Sequence, residues 1–136
     1  MKFWSLALGV GLLTGCVSVT DDMLNNNFPM IEADEPPAEL VGIWTGAMSS
    51  YLATIAMEED GTGLFCYSWG TKDVVHKIKY KEGRIQIQDG TNIVVDRVMN
   101  ERLSLKSDYF ESGDYTYIAD GDLSEASTYC ASTLTK

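Results

Sequence analysis

From Leu40 onward the chain is a succession of short apolar runs cut at nearly regular intervals by turn residues, and this rhythm limits the fold. Candidate strands cover Val41–Met48, Tyr51–Met57, Thr62–Trp69, Val74–Tyr80, Arg84–Gln88, Asn92–Met99, Arg102–Ser107 and Tyr115–Ala119. Turn signals stand between them, among them Glu58-Glu59-Asp60-Gly61, Lys81-Glu82-Gly83, Asp89-Gly90, Asn100-Glu101 and Ser112-Gly113-Asp114. Asp-Gly pairs suit turn positions that need positive φ. Short strands repeating about every ten residues predict an antiparallel meander. Helical periodicity is weak throughout, and Leu123–Tyr129 reads either as one helical turn or as a last short strand.

Alternation within the strands points to a one-sided core. Val74, His76, Ile78 and Tyr80 share a face opposite Val75, Lys77 and Lys79; Ile85 pairs with Ile87, and Leu103 with Leu105. In one strand Phe65, Tyr67 and Trp69 face one way and Leu64 and Cys66 the other. One of these sets must cover a pocket, the tail or a partner. Strands in simple succession leave two open edges, which closure into a barrel removes. The expected fold is all-β: a small antiparallel up-and-down β-barrel of about eight strands, its interior either filled by side chains or holding one small ligand.

The start of the chain carries a different signal. Lys2 precedes an apolar run, Phe3 to Leu13, of signal-peptide length and too short to span a bilayer. The residues that close it, Leu13-Thr14-Gly15-Cys16, resemble the bacterial lipobox. The resemblance implies lipid of the palmitate kind on Cys16 and cleavage before it, so that residues 1–15 are a lipoprotein signal peptide. Val17 follows where an aspartate would hold a lipoprotein in the inner membrane, so the resemblance places the protein at the outer membrane. Each buried methylene of an anchor adds about 0.8 kcal/mol of membrane affinity.

Residues 16–39 are expected to be the lipidated cysteine and a flexible acidic tether. Asp21, Asp22 and Asn25 to Asn27 favour coil, and Glu32, Asp34, Glu35, Pro36 and Pro37 disfavour both helix and strand. Phe28, Met30 and Ile31 interrupt that character; they either dock on the domain or form a small partner-binding patch. Residues 40–136 form the barrel domain, with room for one modest core. With Cys16 acylated, Cys66 and Cys130 remain, and in an exported chain they are expected to pair as a structural disulfide. The long loop so closed corresponds to about 4 kcal/mol by the chain-entropy argument. Two buried free thiols are the other reading. No C-x-x-C spacing suggests redox chemistry.

Twenty acids against ten bases give a formal charge of −10. Nucleic acid is a poor partner for such a surface, and a basic protein or cationic ligand is steered toward it. Plain solubility explains the same charge.

Gly42-Ile43-Trp44 at the start of the first strand resembles the G-x-W signature of lipocalins, in which the tryptophan closes the barrel floor. The resemblance extends over about Leu40–Ala119 and implies an up-and-down barrel. The chain departs from the pattern at its last strand: no arginine follows Arg102, so Tyr115 or Tyr117 would have to cover Trp44.

Chemistry is sparse. His76 is the only histidine, with no motif beside it that supplies a nucleophile or a zinc partner. Asp108, Glu111, Asp114, Asp120 and Asp122 crowd the last third of the domain without EF-hand spacing; Asp120-Gly121-Asp122 is the best calcium fragment among them. Catalytic residues, metal and cofactor are therefore expected to be none. Tyr67, Trp69, Tyr80, Tyr109, Phe110, Tyr115 and Tyr117 form an aromatic set that suits either strand packing or a binding surface. The candidate ligand-binding residues are Trp44, Tyr67, Trp69, His76, Tyr80, Tyr115 and Tyr117. The function expected is a non-enzymatic cell-envelope lipoprotein that binds a protein or a small apolar ligand. The alternatives are an inhibitor of a basic host enzyme such as lysozyme, or an accessory subunit of an envelope assembly.

Overall fold

The computed structural model describes residues 18–109 and 113–135. Cys16 and its lipobox, Phe110, Glu111 and Ser112 lie outside the described residues.

Eight strands run in chain order: β1 (Gly42–Met48), β2 (Tyr51–Met57), β3 (Thr62–Trp69), β4 (Lys72–Lys81), β5 (Arg84–Ile87), β6 (Asn92–Met99), β7 (Arg102–Lys106) and β8 (Asp114–Ala119). Each is hydrogen-bonded antiparallel to the next, and β8 returns to β1 through Trp44 opposite Ala119 and Thr45 opposite Ile118. The sheet is thus a closed up-and-down barrel with no free edge. Alternation places Trp44, Ala53, Ile55, Phe65, Ile78, Ile85, Leu103 and Tyr117 inside, all buried. In β6 the pairing shifts between Val95 and Arg97, so the bulge returns Val98 to the inner face opposite Leu103.

The outer wall of β1, β2 and β3 is covered by the C-terminal segment. A helix, α2 (Thr128–Leu134), is capped by Ser127, whose hydroxyl accepts from the Cys130 amide. The helix is seven residues long and starts only at Thr128, near the end of the expected Leu123–Tyr129 segment, because the cap sits at Ser127 and the preceding residues are held by turns. Cys66 and Cys130 form the disulfide that fixes it. Thr45 and Thr54 hydrogen-bond to each other beneath this cover, and the Thr45 hydroxyl donates to the Asp120 carboxylate at 2.7 Å. Asp120, the best calcium fragment by sequence, is 2 % exposed and serves as a buried joint between β8 and the tail. Among the described residues no group of acids, histidines or cysteines is arranged to hold a metal.

The segment expected to be a flexible tether is instead laid on the barrel where it is described. It contains a short helix, α1 (Val19–Leu24), and two 3-10 turns, Phe28–Met30 and Ala38–Leu40. Asp34 accepts from the Glu82 amide and from Lys81, and the Asn26 amide donates to the Gln88 carbonyl. Phe28 is buried, and Lys79 lies over its ring while donating to its carbonyl oxygen. Gly61 permits this approach: at φ 84° it has no Cβ, which would collide with the Asp34 carbonyl. The polar composition of the segment reads as coil because its partners are supplied by strands far along the chain.

Candidate functional site

The two ends of the barrel are built differently. At one end, β1 begins and the turns after β2, β4 and β6 gather. The Ala38–Leu40 turn enters there, and Leu40 is fully buried in the core. The Trp44 indole N–H donates to the Leu40 carbonyl at 2.9 Å, so the buried indole is satisfied. Tyr117 is fully buried in the same cluster; its hydroxyl makes no hydrogen bond among the described residues. Burial holds that phenol well above its ordinary value.

At the other end the barrel is hollow. A cavity of about 350 Å³ is lined by Met48 and Tyr51 of the β1–β2 hairpin, Phe65 and Tyr67 of β3, His76 of β4, and Ile87 and Ile93 of β5 and β6. Asp89, Thr91, Asn92, Ser107, Tyr109 and Tyr115 complete its wall, and Val19 and Met23 of α1 form its roof. The surface is mainly apolar, with the polar groups gathered along one side, at Asp89 to Asn92, His76 and Ser107. His76 Nε2 stands 4.0 Å from Asp89 Oδ2 at the wall. Tyr67 lies 5.4 Å from the Phe65 ring and 5.2 Å from Tyr51, and Tyr51 in turn lies 5.9 Å from Trp69 at the rim. Burial, with the Asp89 charge nearby, raises the Tyr67 phenol above its ordinary value.

The roof is held by a latch. The Tyr109 hydroxyl donates to Asp22 of α1 at 2.6 Å and accepts from the Asn92 amide at 3.0 Å. Burial first, then the Asp22 carboxylate, pushes the Tyr109 phenol well above its ordinary value, so it stays a donor. Gly90 lies under the same helix, where a Cβ would press on the Asp22 carbonyl and Asn26.

Of the candidate ligand-binding residues, the structure brings Tyr67, His76 and Tyr115 to one cavity. Trp69 stands at its rim, half exposed. Trp44 and Tyr117 belong to the filled core, and Tyr80 packs against that core near the floor, away from the cavity lining. Tyr117, fully buried, is one of the two tyrosines proposed to replace the missing arginine; it shares the Trp44 cluster. Sequence reasoning did not single out Met48, Tyr51, Ile87 or Ile93 as site residues. The available signal was position: each has inward parity at the end of a strand next to a mouth turn. Val19 and Met23 carried a signal too, an apolar i, i+4 pair directly behind the Ser18 cap.

A closed eight-stranded barrel with a tryptophan floor and a hollow apolar mouth defines a lipocalin-like protein. The chain belongs to the family described as "Bacterial lipocalin LPS transport optimiser YedD", whose model matches residues 25–134. Its eight-stranded barrel agrees with the lipocalin of that description. Its fold is similar to that of a lipoprotein YedD from Klebsiella pneumoniae subsp. pneumoniae MGH 78578, with 17% identity, 76% of this chain and 87% of that chain covered, and a TM-score of 0.52. No curated protein matches the chain.

Proposed function

We propose that this protein is a non-enzymatic outer-membrane lipoprotein that takes up an acyl chain in its mouth cavity, and that this binding serves LPS transport. The cavity carries the reading. It is apolar, aromatic on one side, and roofed by a short helix, while the opposite end is filled. Pockets of this size with few polar groups suit a flexible hydrocarbon and fix its polar end by one or two contacts. His76 and Asp89 are the polar pair available for that end. The transport role is supported by the family description. Outer-membrane placement is supported by Val17 after the lipobox.

The test is fluorescence titration of the lipoprotein with cis-parinaric acid. Saturable binding is expected for the native chain. It should be lost when Ile87→Phe and Ile93→Phe together fill the cavity, with the melting transition retained. No saturable binding by the native chain would refute the acyl-chain reading.

A further inference from the structure

We infer that the mouth rim of the barrel rests on the surface of the bilayer that holds the Cys16 anchor. Three observations carry this, none of which depends on the cavity having a ligand.

Chain length comes first. Cys16 stands three residues before Val19, a reach of at most about 10 Å. Val19 roofs the mouth, and α1 is latched there through Asp22 and Tyr109. A lipid attached to Cys16 therefore holds the mouth end of the barrel at the membrane. The floor is at the far end of the strands.

The second observation is the distribution of exposed apolar groups. Val19, Met23 and Leu24 of α1 are 39%, 45% and 78% exposed. Tyr51 and Leu52 open β2 at the mouth, and Trp69 closes β3 there, 51% exposed. These six belong to one end of the barrel; among the described residues the other exposed large apolar ones are Met30, Met99, Ile118 and Tyr129, with Met99 at the floor turn after β6. Tryptophan and tyrosine beside aliphatic groups match the boundary between headgroups and hydrocarbon. Tyr51 also stacks edge-on with both Trp69 and Tyr67, so the apolar rim runs on into the cavity wall.

Charge is the third. The chain is strongly acidic, which excludes adhesion to an anionic surface as the driving force. Two mouth carboxylates are already engaged: Asp22 by Tyr109 and Asp108 by Arg84 at 2.7 Å. The surface that fits is zwitterionic lipid, contacted by apolar insertion and kept close by the anchor.

The native sequence supplies its own probes. Cleavage before Cys16 removes Trp4, leaving Trp44 in the floor and Trp69 at the rim. The mature lipoprotein would be placed in phosphatidylcholine vesicles with brominated acyl chains. Partial loss of tryptophan emission is expected in the native protein and no loss in Trp69→Phe, where only Trp44 remains. Quenching should persist when Ile87→Phe and Ile93→Phe fill the cavity. Its disappearance in that variant would place the quenching chain inside the barrel and overturn the surface contact. Equal emission with brominated and ordinary lipid would overturn it as well. So would quenching of Trp44 in Trp69→Phe, which would mean that the floor faces the bilayer.

Discussion

The floor and the mouth of this barrel meet the same difficulty, an end where inward side chains lack neighbours, in opposite ways. The floor is plugged by the chain that leads into β1: Leu40 is fully buried, and the Trp44 indole is satisfied by the Leu40 carbonyl. The mouth is roofed by α1, six residues long with none of them buried, and held by the Tyr109 hydrogen bond to Asp22 and, just past the helix, by that of Asn26 to the Gln88 carbonyl. Apolar burial ties the floor to global stability. The roof rests on a few polar contacts, each worth about 1 kcal/mol net, and such elements open locally well before the whole fold does. An end that opens locally on a stable base follows from that division.

The largest effect is expected at the floor. Trp44→Ala should cost about 3–5 kcal/mol in denaturant unfolding, since it removes a buried aromatic and strands the Leu40 carbonyl. A cost below about 1 kcal/mol would break the contrast, because buried-aromatic deletions are seldom so mild.

A smaller and more local effect is expected at the mouth. Tyr109→Phe removes the donor to Asp22. Hydrogen exchange of the α1 amides should quicken about tenfold, corresponding to about 1.4 kcal/mol, with little change in global unfolding. The same latch has an alkaline limit. A phenol raised above its ordinary 10.0 contributes stability that is fully present below pH 10.0 and lost as pH rises through the folded value. Relative to the base-catalysed intrinsic rate, loss of α1 protection is therefore expected as the pH rises beyond 10.0 in the native chain and absent in Tyr109→Phe. If the variant instead lowers global stability as much as Trp44→Ala, the mouth is no lid.

The smallest effect sharpens the boundary between the two ends. Tyr117→Phe removes a buried hydroxyl that has no partner among the described residues. Stability should be unchanged or rise by no more than about 1 kcal/mol. A clear loss would show that the hydroxyl contributes to the packing of the barrel's middle.

The strands were legible because each carries its own signal. The limits of β2, β3 and β6 coincide with the runs read from sequence, and the other strands differ by at most two residues at an end, as fraying predicts. Closure was legible from the edge argument. The roof was not, because Asp22, Asn26 and Asp34 are coil formers by composition and become ordered through Tyr109, Gln88 and Glu82, residues 48 to 87 positions away. The site was legible in part. His76, Tyr67 and Tyr115 have inward parity, yet parity alone does not separate a hollow level from a filled one. That depends on the vertical position of each residue, which placed Trp44, Tyr80 and Tyr117 in or against packed core.

The bridge between Cys66 and Cys130 ties positions 64 apart, from the middle of β3 to α2 beyond the last strand. Every strand from β4 to β8 therefore lies inside one covalent ring. A protease cut in any turn of that ring leaves a single molecule, whose two pieces part only when the bridge is reduced.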